Sequence, residues 1–238
     1  MVTTMTSPAA SSSQTLSRGI QALEVLSEAP APLSIAQLAG ALGVHRSIAY
    51  RILRTLEDHG LVLRDGAGRI QLGPRLAALA RSVSHDLQAA ALPELTAVAN
   101  ELSMTAFVAV LDHRECVTLV SVEPRSAHAT VAQRPGTRHP IWVGAPGIAI
   151  QSSLGDDQWR LIAGERAMRA EVGEARSLGY ATSHDEVIPG LASVSVPIRL
   201  RDHAPCAVSV VYVATMLPAD AIARRLTQAA EAIAKELN

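Results

Sequence analysis

HRSIAYRILRTLEDHG, residues 45–60, sorts its charges along its length: Arg46, Arg51 and Arg54 come first, Glu57 and Asp58 last. At ~100° per residue, Val44, Ile48, Ala49, Ile52, Leu53 and Leu56 fall on one half of a helix. Arg46, Ser47, Tyr50, Arg51, Arg54, Glu57 and Asp58 fall on the other. The spacing predicts an amphipathic helix whose exposed half is cationic or hydrogen-bond donating as far as residue 54. That order opposes the helix macrodipole, which favours acids at the N-terminus and bases at the C-terminus, each misplaced charge costing some tenths of a kcal/mol. An anion outside the helix would account for it. In a helix-turn-helix the N-terminal part of the second helix enters the major groove, where Arg pairs with guanine while Ser and Tyr reach phosphates or bases. The alternative is a solvated face with pairs such as Arg54 with Asp58.

The flanking sequence favours the groove. LSIAQLAGALG, residues 33–43, carries a Ser34-x-x-Gln37 capping box, Leu33 placed to staple onto Leu38, and Gly43 as a stop. A short helix followed so closely by another is the sequence form of helix-turn-helix. LVLRD and RIQLG, residues 61–65 and 69–73, flank Gly66-Ala67-Gly68 and read as a hairpin wing bearing Arg64 and Arg69. Before them, residues 15–29 place Leu16, Ile20, Leu23 and Leu26 at helical spacing, ended by Pro30 and Pro32. After them, Pro74 opens a connector whose stripe is Leu76, Leu79, Val83 and Leu87; it faces either a second copy of the chain or its own domain.

The 238 residues suit two domains, with cores of Ala, Val, Leu and Ile because aromatics are only 3%. No apolar run reaches the roughly 20 residues that span a bilayer and the N-terminus lacks a signal-peptide pattern, so a cytoplasmic protein without membrane contact is expected. Cys116 and Cys206 lie far apart and are expected to be reduced thiols. Residues 1–88 carry eight Arg against six acids, and 89–238 carry thirteen Arg or Lys against sixteen, so the net −1 hides a mildly basic front. Residues 1–13 are small and polar, a tail with nothing to bury.

Beyond residue 88 the pattern changes. A helix over 89–103 precedes strand-like TAFVAVL and ECVTLVSV around Asp112-His113-Arg114, then HATVAQR. Helical segments are expected at 146–154, 157–163 and 165–178, strands at 192–200 and 206–213, and a last helix after Pro218. Close spacing of strands with helices before, between and after them predicts an α+β domain with an antiparallel sheet. Gly144-Ala145-Pro146-Gly147 opens a helix with free N–H groups, either a cradle for a carboxylate or a purely structural turn. Ser193 and Ser209 interrupt apolar strands, either lining a ligand cavity or facing water. Trp142 fits a stacking partner or core, with core favoured.

LSRGIQALEVLSEAPAPLSIAQLAGALGVHRSIAYRILRTLEDHGLV and RIQLGPRLAALA, with RPGTRHPIWVGAPGIAI and GYATSHDEVIPGLASVSVPIRLRDHAPCAVSVV in the same order and spacing, resemble the IclR family of bacterial transcription regulators over about residues 14–238. The resemblance implies a winged helix-turn-helix domain over 14–73, a linker helix over 74–88, and a GAF-like antiparallel-sheet domain flanked by helices over 89–238 that binds an effector and oligomerises. It implies a homodimer or homotetramer, a repressor among the family's roles, that binds double-stranded operator DNA through Arg46, Ser47, Tyr50, Arg51, Arg54 and Arg69. The family usually has Thr where Ile48 stands, a change on the buried side. The effector site would draw on Gly144, Ala145, Ser183, Leu191, Ser193, Ser209 and Val211. Family members that bind small oxo-acids carry a carboxylate at the position of Ser183 and a hydroxyl at that of Val211, so a less polar pocket and an aromatic or partly apolar organic acid are expected here. No cofactor, metal or catalytic residue is expected: no nucleophile elbow, Walker loop, dinucleotide fingerprint or His-Glu-x-x-His occurs. A small-molecule-metabolising enzyme and a ligand sensor that does not bind DNA are the alternatives.

Overall fold

The structure, a computed structural model, describes residues 13–125, 131–213 and 217–238. The chain divides into two compact units between Val83 and Ser84. Of the tail expected over 1–13, only Ser13 lies within the described residues; its hydroxyl accepts from the Leu16 N–H and caps the first helix.

The first unit runs α1 (Gln14–Glu28), α2 (Ile35–Ala41), α3 (Arg46–Asp58), β1 (Val62–Arg64), β2 (Ile70–Leu72) and α4 (Arg75–Ala80). The capping box closes as its residue types require: the Ser34 hydroxyl accepts from the Gln37 N–H, and Gln37 Oε1 accepts from the Ser34 N–H at 2.9 Å. Leu33 packs against the core cluster that includes Leu38 and also forms a two-way backbone bridge with Ile70. The wing is thereby stitched to the start of α2. β1 and β2 pair antiparallel, and the turn between them is held by Asp65, whose Oδ1 accepts from the N–H groups of Ala67 and Arg69. Ala22, Leu26, Leu38, Ile52, Leu53, Leu56, Val62 and Ile70 form the core.

Two expectations are corrected here. The buried face of α1 is Gly19, Ala22 and Leu26, while Leu16 and Ile20 are 64% and 49% exposed. Leu23 and Leu26 do reach the core, so the expected stripe holds in the second half of α1 and fails in the first. The connector over 74–88 is not one helix: α4 ends at Ala80 and Ser84 stands in the left-handed region before the next helix begins. Ser82 donates its hydroxyl to the Leu79 carbonyl, a local bond of the kind that competes with helix continuation. Leu79 and Val83 are both more than half exposed.

The second unit runs α5 (His85–Leu102), β3 (Thr105–Asp112), β4 (Glu115–Val122), β5 (Arg138–Pro140), α6 (Gly144–Ser153), α7 (Asp156–Ala163), α8 (Val172–Leu178), β6 (Ala181–His184), β7 (Ala192–Ile198), β8 (Cys206–Tyr212) and α9 (Ala219–Leu237). The six strands form one antiparallel sheet in the order β5-β4-β3-β8-β7-β6. Strand alternation sends Val208, Val210, Val194 and Val196 to one face under α5 and α9. The other face sends Phe107, Ala109, Ala207 and Val211 to a second core beneath α6. The sheet is therefore covered on both sides, an α+β sandwich.

The segment read as a strand over 128–134 lies in part outside the described residues, and 131–134 form no ladder. Side chains hold it instead: Thr105 donates to the Val131 carbonyl, Ser121 to that of Gln133, and Gln133 Nε2 to Thr118. The helix expected from 165 begins only at Val172, because the preceding residues are drawn into a loop anchored by Gln151. Both cysteines are buried and unpaired, with thiols pushed up to about 12 by burial, so they are inert. No helix among the described residues is long and apolar enough to cross a membrane.

Candidate functional site

In the first unit, α3 has the two faces its spacing predicts. Ala49, Ile52, Leu53 and Leu56 are buried and Ile48 packs at the edge of the core, whereas Arg46, Ser47, Tyr50, Arg51 and Arg54 are exposed. None of Arg46, Arg51, Arg54 or Arg69 has an acidic partner within ion-pair distance among the described residues. Four unneutralised guanidiniums on one small domain are what a phosphate backbone requires.

Three details were not legible beforehand. His45 caps α3: its Nδ1 accepts from the Ser47 N–H at 3.4 Å and lies 2.9 Å from the Ser47 hydroxyl, which fixes the Ser47 side chain at the helix mouth. Glu57 does more than terminate the cationic face. It takes Arg64 of the wing in a two-point ion pair, Nε–Oε1 2.6 Å and Nη2–Oε2 3.0 Å. Arg64 also lies 5.8 Å from the Tyr50 ring centroid. The hydrogen bond to Glu57 raises the Arg64 value further, outweighing burial. Arg64 is thus spent on fixing the wing against α3, and the basic character of the wing rests on Arg69.

In the second unit, a cavity of about 40 Å³ lies between the N-terminus of α6 and the sheet. Phe107, Pro146, Val187, Ile188, Leu191, Ala192 and Val211 supply apolar wall, and Gln133, His139, Ser183, Glu186 and Ser193 polar wall. Of the residues expected here, Ser183, Leu191, Ser193 and Val211 line it. Gly144 and Ala145 border it through their N–H groups, which donate to Glu186 Oε2 at 2.9 Å and to the Ser183 hydroxyl at 2.8 Å. Ser209 does not reach the cavity wall. It is fully buried and accepts from, or donates to, its cross-strand partner Ser195 at 2.8 Å. Ser193 faces neither bulk water nor an empty acceptor, since it donates to the Val210 carbonyl. Trp142 is half-buried, packs on the core under α6, and carries the Arg166 guanidinium 3.9 Å from its ring centroid.

Two glycines make the α6 turn structural as well as functional. Gly144 has φ +78°, and an added Cβ would stand 2.8 Å from Val187 Cγ2. At Gly147 an added Cβ would collide with the Ile141 carbonyl, which accepts from the buried Gln151 side chain. The pocket is also more polar than expected, because Glu186 returns a carboxylate three residues after Ser183. Burial pushes the Glu186 carboxyl up, but the Arg169 guanidinium and the Gly144 N–H outweigh it and hold it below the usual range. Burial lowers the His139 value, against the pull of Pro140, Glu115 and Glu186. His139 and Glu186 lie inside stretches that carry the family resemblance and Arg169 outside them, but none was expected at the site, and they come together only through the fold.

A winged helix-turn-helix with an unpaired arginine face, on a chain whose other unit is a helix-covered sheet with a lined cavity, defines a ligand-sensing transcription regulator. The chain belongs to the IclR family: residues 15–66 match the IclR helix-turn-helix domain and residues 80–238 the bacterial transcriptional regulator IclR C-terminal domain. It is 30% identical over 223 residues, 87% of this chain and 83% of the relative, to the HTH-type transcriptional regulator Rv1719 of Mycobacterium tuberculosis. Its fold is that of an IclR transcriptional regulator from Alicyclobacillus acidocaldarius, with a TM-score of 0.80 at 24% identity, covering 96% of this chain and 100% of that one. An IclR homologue from Microbacterium hydrocarbonoxydans complexed with 4-hydroxybenzoate matches with a TM-score of 0.79 at 21% identity, covering 94% and 99%. Members of the family are transcriptional regulators, with a DNA-binding N-terminal and an effector-binding C-terminal domain, which closes the enzyme reading.

Proposed function

We propose that this chain is a homo-oligomeric, cytoplasmic regulator that reads operator DNA through α3, and whose affinity for that DNA changes when a small aromatic or partly apolar organic acid enters the cavity at the N-terminus of α6. The observation that carries the DNA half is the set of unneutralised guanidiniums of Arg46, Arg51 and Arg54 on the exposed half of α3, with Ser47 and Tyr50 exposed among them, and of Arg69 on the wing. The effector half rests on the cavity, whose walls are largely apolar around donors suited to one carboxylate. A structural relative complexed with the aromatic acid 4-hydroxybenzoate supports the same ligand class. Exposed Leu16, Ile20 and Leu79 supply apolar surface for a second copy, and a twofold dimer presents two recognition helices to two half-sites.

Fluorescence anisotropy with labelled DNA from upstream of the chain's own gene tests both halves. An acid that works as effector shifts operator affinity 5- to 150-fold, a coupling of about 1–3 kcal/mol. A panel of aromatic acids including 4-hydroxybenzoate that leaves affinity unchanged would remove the effector assignment.

A further inference from the structure

Glu186 occupies the place that the proposed effector's carboxylate would take. Its Oε2 accepts from the Gly144 N–H at 2.9 Å and pairs with Arg169 Nη1, while Arg169 Nη2 reaches Oε1 at 3.2 Å. One carboxylate thus bridges a helix N-terminal amide and a guanidinium, the two donor types that bind carboxylates most strongly.

Arg169 is held independently of Glu186. Its backbone N–H donates to Gln151 Oε1 at 3.0 Å, and Gln151 Nε2 donates to the Ile141 carbonyl at 2.8 Å. Its guanidinium also pairs with Glu171 and lies 3.4 Å from the Trp142 carbonyl. Glu186, by contrast, sits on a short strap between β6 and β7. Asp185 at φ +61° and Gly190 at φ +82° frame this strap, and the bond from the Gly190 N–H to Asp185 Oδ1 (2.5 Å) closes it.

Val187 and Ile188 of the strap are each 44% exposed, yet they form part of the cavity wall. Few buried contacts hold such a segment down. The cavity's 40 Å³ decides the matter of size. An apolar cavity of about 150 Å³ holds a benzene ring, so an aromatic acid enters only if a wall moves. Withdrawing the strap enlarges the cavity and removes Glu186 from its donors in the same motion.

We propose that Glu186 is a tethered competitor for the effector's carboxylate: strap 185–190 closes the cavity with Glu186 on Gly144 and Arg169, and an incoming acid displaces it to take the same two donors. This rests on the effector cavity assigned above. It adds Arg169 as an effector-binding residue and makes Glu186 a determinant of both affinity and selectivity, since only a ligand bearing its own anion replaces what Glu186 gives up.

The test is titration of the full-length protein, its Glu186→Gln and Glu186→Ala variants, and Glu186→Gln/Arg169→Met with sodium benzoate by calorimetry. Sodium chloride holds the ionic strength constant. If the seat is free one part in ten, releasing it tightens benzoate binding about tenfold in Glu186→Gln. Glu186→Gln keeps the side-chain volume, so the result stands even if the alanine variant folds poorly. The double variant is expected to lose the gain. Equal affinity in wild type and Glu186→Gln overturns the competitor, as does weaker binding in Glu186→Gln, which would make Glu186 a ligand contact. Aromatic acids that shift operator affinity equally in both proteins leave the effector reading intact while removing the competitor. If no aromatic acid binds either protein, the effector reading itself falls and the competitor with it.

Discussion

Gly147 leaves no room for a side chain, because α6 lies directly on the Ile141 carbonyl. Gly147→Ala is therefore expected to cost about 3 kcal/mol in urea unfolding, the upper range of overpacking. Gly173, exposed in α8 with open space around it, should gain up to about 1 kcal/mol as alanine. The contrast separates a glycine needed for close approach from one merely tolerated. Glu186 sets a pH signature. Its folded value is lowered, so its contribution is full above the ordinary glutamate value of about 4.3 and is lost as pH falls through the folded value. Melting curves from pH 7 downward should show this acid-side loss in wild type and lack it in Glu186→Gln. Ser183, Leu191, Ser193 and Val211 were legible through family likeness, which transfers position. Glu186 and His139 were not, because each is brought to the cavity by a loop or strand end whose course no local spacing encodes, and neither was Arg169, which reaches the site only through its pairing with Glu186.

At the scale of elements, α3 was the most readable because its polar and apolar residues separate cleanly at the helical period and almost every position follows it. Helix α1 was read correctly in its second half, where Leu23 and Leu26 reach the core, and wrongly in its first, where Gly19 and Ala22 carry little hydrophobic signal yet are the buried positions while Leu16 and Ile20 are exposed. Strands β5 and β6, RHP and ATSH, were missed because short polar edge strands are defined by their partners, Val117 with Arg138 and Ser183 with Ser193, rather than by their own residues. The capping box is a local device whose worth follows from chemistry: Ser34→Ala should cost about 1 kcal/mol of stability by denaturant titration. The wing's orientation relative to α3 depends on the Glu57–Arg64 pair. A double-mutant cycle of Glu57→Gln and Arg64→Gln should return a coupling of about 1 kcal/mol, the upper end for a partly exposed pair, with weaker operator binding in both single variants. Zero coupling would mean that β1 and β2 hold the wing without it.

For the whole molecule, sensing and DNA reading are assigned to separate units of one chain, each with its own core. A device of this kind works only if the effector binds the DNA-free and DNA-bound forms unequally, because a ligand with equal affinity for both shifts nothing. Operator reading depends first on the cationic end of α3 gripping DNA. The direct measurement is the operator affinity of wild type, Arg46→Ala and Arg51→Ala by anisotropy between 50 and 200 mM salt. If Arg46, Arg51 and Arg54 of each protomer in a dimer neutralise one phosphate apiece, log K against log salt falls with a slope of about −5, and each alanine variant binds more weakly with a shallower slope. A near-flat salt dependence, or alanine variants that bind as wild type does, would contradict it.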